Sequence, residues 1–160
     1  MTPKIVPATM DHAHFVAENL CDADRAELQA SSTKSAHESL IFSLINSIEP
    51  MTAMVDDEPI LIFGAAAVSS IAPVGHPWML TTKRAHDYPV WLGKTSKKLF
   101  LGVCSPFSYV FNYVDSRHTT AVKWLKWLGF NVLDPEPWGP IGVPFHKFEM
   151  HIQRYEVRLT

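Results

Sequence analysis

Apolar and polar residues along this chain follow two periods, and the change from one to the other is marked by turn and capping residues. From Tyr109 to Val114 the residues Tyr109, Phe111 and Tyr113 alternate with Val110, Asn112 and Val114, which predicts a strand with few charges on either face. Asp115 and Ser116 follow where a helix N-cap is expected, because their side-chain oxygens can accept from unpaired N–H groups of a first turn. Ala121, Trp124, Leu125 and Leu128 then recur at helical spacing, with Lys123 and Lys126 facing away. Gly129 stops that helix, since it can take the left-handed conformation. Phe130 leads into another strand over Asn131, Val132 and Leu133.

The same punctuation reads through the rest of the chain. Ile5 and Val6 open a short strand, and Thr9 can cap a helix over Met10 to Asn19. The polar stretch Cys21 to Lys34 leaves room for one weak helical turn or more. Ser35 to Glu38 fits a capping box, and Leu40, Ile41, Leu44, Ile45 and Ile48 share one helical face before Pro50. Met51 to Asp56 and Pro59 to Ser69 read as a hairpin turning at Asp57-Glu58. Gly64 thins its second strand, as at a bulge or a close approach by another backbone. Gly75 begins a further strand through Trp78 to Thr82. A helix over residues 88–103 carries Leu92, Ser96, Leu99, Phe100 and Val103 on one face and Lys94, Lys97 and Lys98 opposite. The prolines between Asp134 and Pro140 exclude a central strand there, because proline has no ladder donor. Phe145 to Arg158 alternates and closes the chain as a last strand. The order β-α-α-β-β-β-α-β-α-β-β predicts an α/β (α+β) mixed sheet with helices on both faces, a single domain over residues 1–160.

Bulk composition narrows the function classes. A net charge of −2 and a pI near 6.4 give no basic excess for nucleic acid or a membrane surface. Cys21 and Cys104 are too few and too far apart for a disulfide framework or a metal knuckle, and His12 and His14 point to different sides of a helix, so no metal is expected. No apolar leader or membrane-length run is seen, and the expectation is a soluble intracellular protein. Trp127 lies off its helix's main apolar stripe and Trp138 sits in the proline-rich loop, so the two could form an aromatic contact surface.

The element order resembles the GNAT family of N-acetyltransferases over nearly the whole chain. The hairpin MVDDEPILIFGA is similar to that family's second and third strands. The segment HTTAVKWLKWLGF is similar to its late helix, with His118 at the usual Asn, Ala121 at the Ala and Gly129-Phe130 at the end. WMLTT, WLGKTSKK and FNYV look most like a phage-encoded subgroup that includes internal virion protein A and phage acetyltransferases. Two positions depart from the pattern. The phosphate-binding glycines expected after Thr82 are absent from Lys83-Arg84-Ala85-His86-Asp87-Tyr88-Pro89, and Leu125 stands where a proton-donating tyrosine is usual.

The resemblance implies acetyl-CoA as cosubstrate, held where two parallel strands splay, here residues 78–82 and 109–115. It implies cofactor contact by the backbone of Leu80, Thr81 and Thr82, with Lys83 and Arg84 supplying charge near the phosphates. Asn112 would orient substrate, His118 would act as base and Tyr113 would replace the missing proton donor. The Lys94, Lys97 and Lys98 face could steer the adenosine phosphate. A second reading keeps the scaffold without catalysis, a protein that binds a host or virion protein in the cytoplasm of a bacterial host or in the virion.

Overall fold

The computed structural model describes residues 2–152. The elements run β1 (Lys4–Pro7), α1 (Met10–Glu18), α2 (Asp22–Ser31), α3 (Ala36–Asn46), β2 (Met51–Val55), β3 (Glu58–Ala67) and β4 (Val74–Thr81). After a 3-10 turn (Lys83–Asp87) come α4 (Pro89–Cys104), β5 (Tyr109–Asp115), α5 (Thr119–Leu128), β6 (Asn131–Val132), β7 (Glu136–Trp138) and β8 (Val143–His151). One mixed sheet has the order β1-β2-β3-β4-β5-β8-β6, with β7 also on β8. The expected mixed architecture with helices on both faces is therefore present.

Side-chain alternation along the strands fixes which helix packs where. Ile62, Trp78 and Leu80 face α1 and α3, meeting Ala13, Val16, Leu40 and Leu44. Leu61, Phe63 and Met79 face the other way, onto Leu92, Leu99 and Val103 of α4. Val110, Val114 and Phe148 pack with Phe100 of α4 and Leu125 and Leu128 of α5. The caps at Thr9 and Ser35 form, each side chain accepting from the N–H three residues on, and of the capping box expected at Ser35 the Ser35 half is seen.

Two local expectations, on the β2–β3 turn and the α5 cap, are corrected, and three others are sharpened. The β2–β3 turn is Asp56-Asp57, one residue earlier than Asp57-Glu58, with both residues at positive φ (51° and 60°), as a two-residue hairpin turn of the favoured hand requires. The cap of α5 is His118, because Asp115 is still in β5 and Ser116 lies in the turn between them. The stretch 22–31 is a full helix, α2. The proline-rich loop carries β7, a three-residue strand that pairs with β8 alone and so tolerates Pro137 at the sheet edge. The last strand was expected to run to Arg158; it is seen as Val143–His151, and residues 153–158 lie outside the described ones.

Candidate functional site

The site is made by two strands that start together and part. β4 and β5 are parallel and pair at Val74 with Tyr109 and Gly75 with Val110. Gly75 is required at this closed end, since a Cβ there would sit 2.8 Å from the Phe107 ring. Beyond it the ladder stops. Thr82 N–H donates to Ile60 C=O at 2.9 Å, and backbone groups alternate along a strand, so Leu80 and Thr82 turn theirs toward β3 while Pro77, Met79 and Thr81 turn theirs into the gap.

Side chains take most of the groups that the missing ladder would have paired. Asn112 Nδ2 donates to Pro77 C=O at 3.0 Å, and Asn112 Oδ1 accepts from Tyr113 N–H at 2.9 Å, so one amide spans the crotch of the wedge. His76 Nδ1–H donates to Phe111 C=O at 2.7 Å. Asp115 N–H donates to Glu27 Oε1 at 2.7 Å. Thr81 N–H donates to Asp24 Oδ2 at 2.8 Å, and Thr81 C=O accepts from Cys21 N–H at 3.0 Å. Met79 is different: its N–H and C=O face the open gap with no ladder partner on β5.

Two hollows meet at this wedge. A cavity of about 190 Å³ passes through it, walled on one side by α2, α3, Trp78 and Trp138 and on the other by Phe100, Trp124 and Leu125. A groove of about 360 Å³ runs from Met79 between α4 and α5 toward His86, Gly93 and Trp127. Asp24, Met79, His118, Ala121 and Trp124 line both, so any group reaching from one hollow to the other passes them.

The junction is acidic and carries a histidine. His118 Nε2 lies 3.1 Å from Asp24 Oδ1, and its Nδ1 accepts from Ala121 N–H at 3.4 Å as the cap of α5. The hydrogen bond with Asp24 raises the His118 pKa, burial opposes it, and the charges of Glu27, Asp24 and Asp115 add to the rise. A helix N-terminus by itself would lower the proton affinity of His118, and these acidic neighbours outweigh it. Glu27 is pushed up to about 7, chiefly by burial, with Asp24 and Asp115 raising it further and His118 opposing. Asp115 is buried, yet its pKa is lowered: burial would raise it, and the Arg117 hydrogen bonds, with Arg117 Nε at 3.0 Å, outweigh that.

No protein-family model matches the sequence, and no curated protein is detectably similar to it. Solved structures are similar. A GNAT superfamily phosphinothricin acetyltransferase from Sinorhizobium meliloti, in complex with AcCoA, superposes at a TM-score of 0.69 with 15% identity, covering 95% of this chain and 89% of its own. The Salmonella typhimurium protein yncA, solved with its cofactor acetyl-CoA, gives 0.70 with 10% identity and 98% of each chain. Ard1 from Thermoplasma volcanium gives 0.69 with 14% identity, over 96% of this chain and 100% of that one. The fold is the GNAT acetyltransferase fold.

Within this GNAT fold the residues singled out from sequence fall into three groups. His118, Asn112, Tyr113, Leu80 and Thr81 gather at the wedge and its two hollows. Tyr113 stacks on Trp138 at 4.4 Å with an interplanar angle of 12° and walls the cavity. Thr82 is turned away: its N–H and its hydroxyl both go to Ile60 C=O, and Leu80 likewise contributes a side chain rather than gap-facing backbone. Met79, not singled out, holds the gap-facing pair. Lys83 and Arg84 are elsewhere. Arg84 is held at 2.9 Å by both Asp56 and Glu58 at the β2–β3 turn, and exposed Lys83 lies 3.8 Å from Asp22. Trp138 is packed against Tyr113 and Phe145, which removes it from any exposed pair with Trp127. Among the described residues no cluster of metal-ligating side chains occurs, and no helix is long and apolar enough to cross a membrane.

Besides Met79, sequence reasoning missed Asp24 and Glu27. Both sit on α2, which buries little apolar surface and so shows no helical stripe. Their spacing of three on one helix face was the available signal.

Proposed function

We propose that this chain is an acetyl-CoA-dependent N-acetyltransferase that acylates an amine. The observation that carries the reading is the open wedge with the Met79 N–H and C=O directed into it. A pantetheine arm presents amides, and such a pair of strand groups is what an added amide-bearing chain pairs with. The groove between α4 and α5 suits the fit, since most of its surface is apolar and it reaches His86, Leu92 and Gly93 near the start of α4. That start has Pro89 in its first turn and no side-chain cap, so backbone N–H groups there and His86 would meet the phosphates in place of a glycine-rich loop.

The chemistry asked of the protein is modest. An amine nitrogen attacks a thioester carbonyl, and the protein aligns the two, stabilises the oxyanion and moves protons. Met79 N–H is the donor placed for the carbonyl oxygen. His118, held by Asp24 where the two hollows meet, is the group placed to pass a proton to the departing sulfur, which Leu125 cannot do. Asn112 keeps the strands apart, and Tyr113 walls the acceptor side. The test is release of free thiol from acetyl-CoA in the presence of a panel of amines. Release that needs both protein and amine is the expected result. No release, together with no binding of acetyl-CoA in a calorimetric titration, would overturn the reading.

A further inference from the structure

The acceptor side of the cavity contains a carboxylate oxygen and a hydroxyl that the fold itself does not use. Glu27 Oε1 is taken by Asp115 N–H at 2.7 Å, while no group among the described residues donates to Oε2. On α3, which walls the same side of the cavity, Ser39 Oγ is buried with no hydrogen-bond partner among the described residues. A buried hydroxyl without a partner is costly, and native structures rarely leave one unless something else satisfies it. Leu28, Trp78, Tyr113 and Trp138 line the same cavity. A carboxylate set among aromatic faces selects a cation, because both the charge and the ring quadrupoles attract it. Size sets the rest. A cavity of about 150 Å³ houses benzene, so about 190 Å³ suits a body of one ring or a short chain.

We propose that this cavity takes a small primary amine with an apolar, ring-sized body as the acetyl acceptor, with its ammonium on Glu27 and a polar substituent on Ser39. Binding of the amine stands on the cavity alone; the transfer step rests on the acetyltransferase reading. In that step the ammonium gives one proton to Glu27 Oε2. The freed lone pair forms the C–N bond to the thioester carbonyl carbon, and the C–S bond breaks. The nitrogen's second proton goes to the leaving sulfur by way of His118, and Glu27 returns its proton to water. The sum is one amide, one thiol and one proton released. A carboxyl titrating near 7 is matched to this duty at neutral pH. Glu27 is faced by Asp24 from its own helix, Asp115 from β5 and His118 from the start of α5.

The test uses tyramine, phenethylamine and 4-ethylphenol as probes, with wild type, Glu27→Gln and Ser39→Ala, and thermal melts to establish that each variant is folded. Calorimetry should show wild type binding tyramine and not 4-ethylphenol, which lacks the amine. Glu27→Gln should weaken tyramine at least about 10-fold and, with acetyl-CoA present, cut kcat/KM on the order of 100-fold while flattening the acid limb of the pH profile. Ser39→Ala should erase the preference for tyramine over phenethylamine and leave phenethylamine binding unchanged. Equal binding of 4-ethylphenol, unchanged tyramine affinity in Glu27→Gln, or a clear preference for a peptide N-terminus over tyramine would overturn the proposal. Acetyl-CoA affinity, measured separately in wild type, reports on the acetyltransferase reading alone.

Discussion

The closed and open ends of the β4–β5 pair are made by the same two strands and have opposite fates. At the closed end Gly75 lets the Phe107 ring lie against the backbone, and the ladder forms at Val74 and Gly75. At the open end β5 stays zipped to β8 through Asp115, and β4 stays zipped to β3 through Thr81, so each strand is loyal to its outer neighbour. The wedge is therefore not a frayed edge. It is held by two intact antiparallel ladders, and the polar groups it exposes are satisfied by Asn112, His76, Asp24 and Glu27. The lesson is that opening a sheet is tolerable when side chains replace the lost ladder, and that Met79, which none of them covers, marks where a ligand would bond.

The contrast can be broken at the closed end first. Gly75→Val would drive a side chain into Phe107 and should cost about 3 kcal/mol, read as a fall in Tm of about 10 °C. Asn112→Ala leaves Pro77 C=O and Tyr113 N–H unpaired at the crotch and should cost about 2 kcal/mol in denaturant unfolding. The acid cluster gives the next effect. Glu27 titrates near 4.5 unfolded and about 7 folded, so the unfolded chain loses its proton first and stability falls as pH rises through that window. His118, raised by its partners, contributes stability that is present below its ordinary value of 6.5 and is lost as pH rises through its folded value, in the same direction. Glu27→Gln keeps an acceptor for Asp115 N–H, so its Tm should match wild type near pH 4 and exceed it at pH 8. The smallest effect belongs to Arg84→Ala, which removes two partly exposed ion pairs. It should shift Tm little and leave acetyl-CoA affinity unchanged.

The sequence carried the scaffold more plainly than the site. The late helix was legible because Ala121, Trp124, Leu125 and Leu128 recur at one spacing and Gly129 takes a φ of 104°. The order of strands was legible from alternation and turns. The hairpin turn slipped by one residue because Asp56 and Asp57 both tolerate positive φ, a property that composition shows only weakly. Helix α2 was legible only as a weak turn or more because it is held by polar contacts rather than an apolar stripe: Asp24 grips Thr81, and Gly139 of the proline-rich loop packs against Ala30 C=O, where a Cβ would come within 2.5 Å. The acidic junction follows from that. Asp24 meets His118 across 94 residues and Glu27 meets Asp115 across 88, so local spacing puts the two acids on one face but announces neither contact. Arg84 illustrates the reverse case, a cation placed beside the expected phosphate site in sequence and bound to a hairpin turn in space.

The central claim is that Met79 offers its backbone to a thioester carrier's arm in an open wedge. Calorimetric titration of acetyl-CoA into Met79→Ala and Met79→Pro tests it most directly. Both lose the side chain, proline alone loses the N–H, and that N–H lies outside the β3 ladder, so the fold should survive in each. The account predicts that Met79→Ala binds within a few-fold of wild type and Met79→Pro at least about 10-fold more weakly, the worth of one buried hydrogen bond. Equal affinity in the two variants, with both folded, would contradict it.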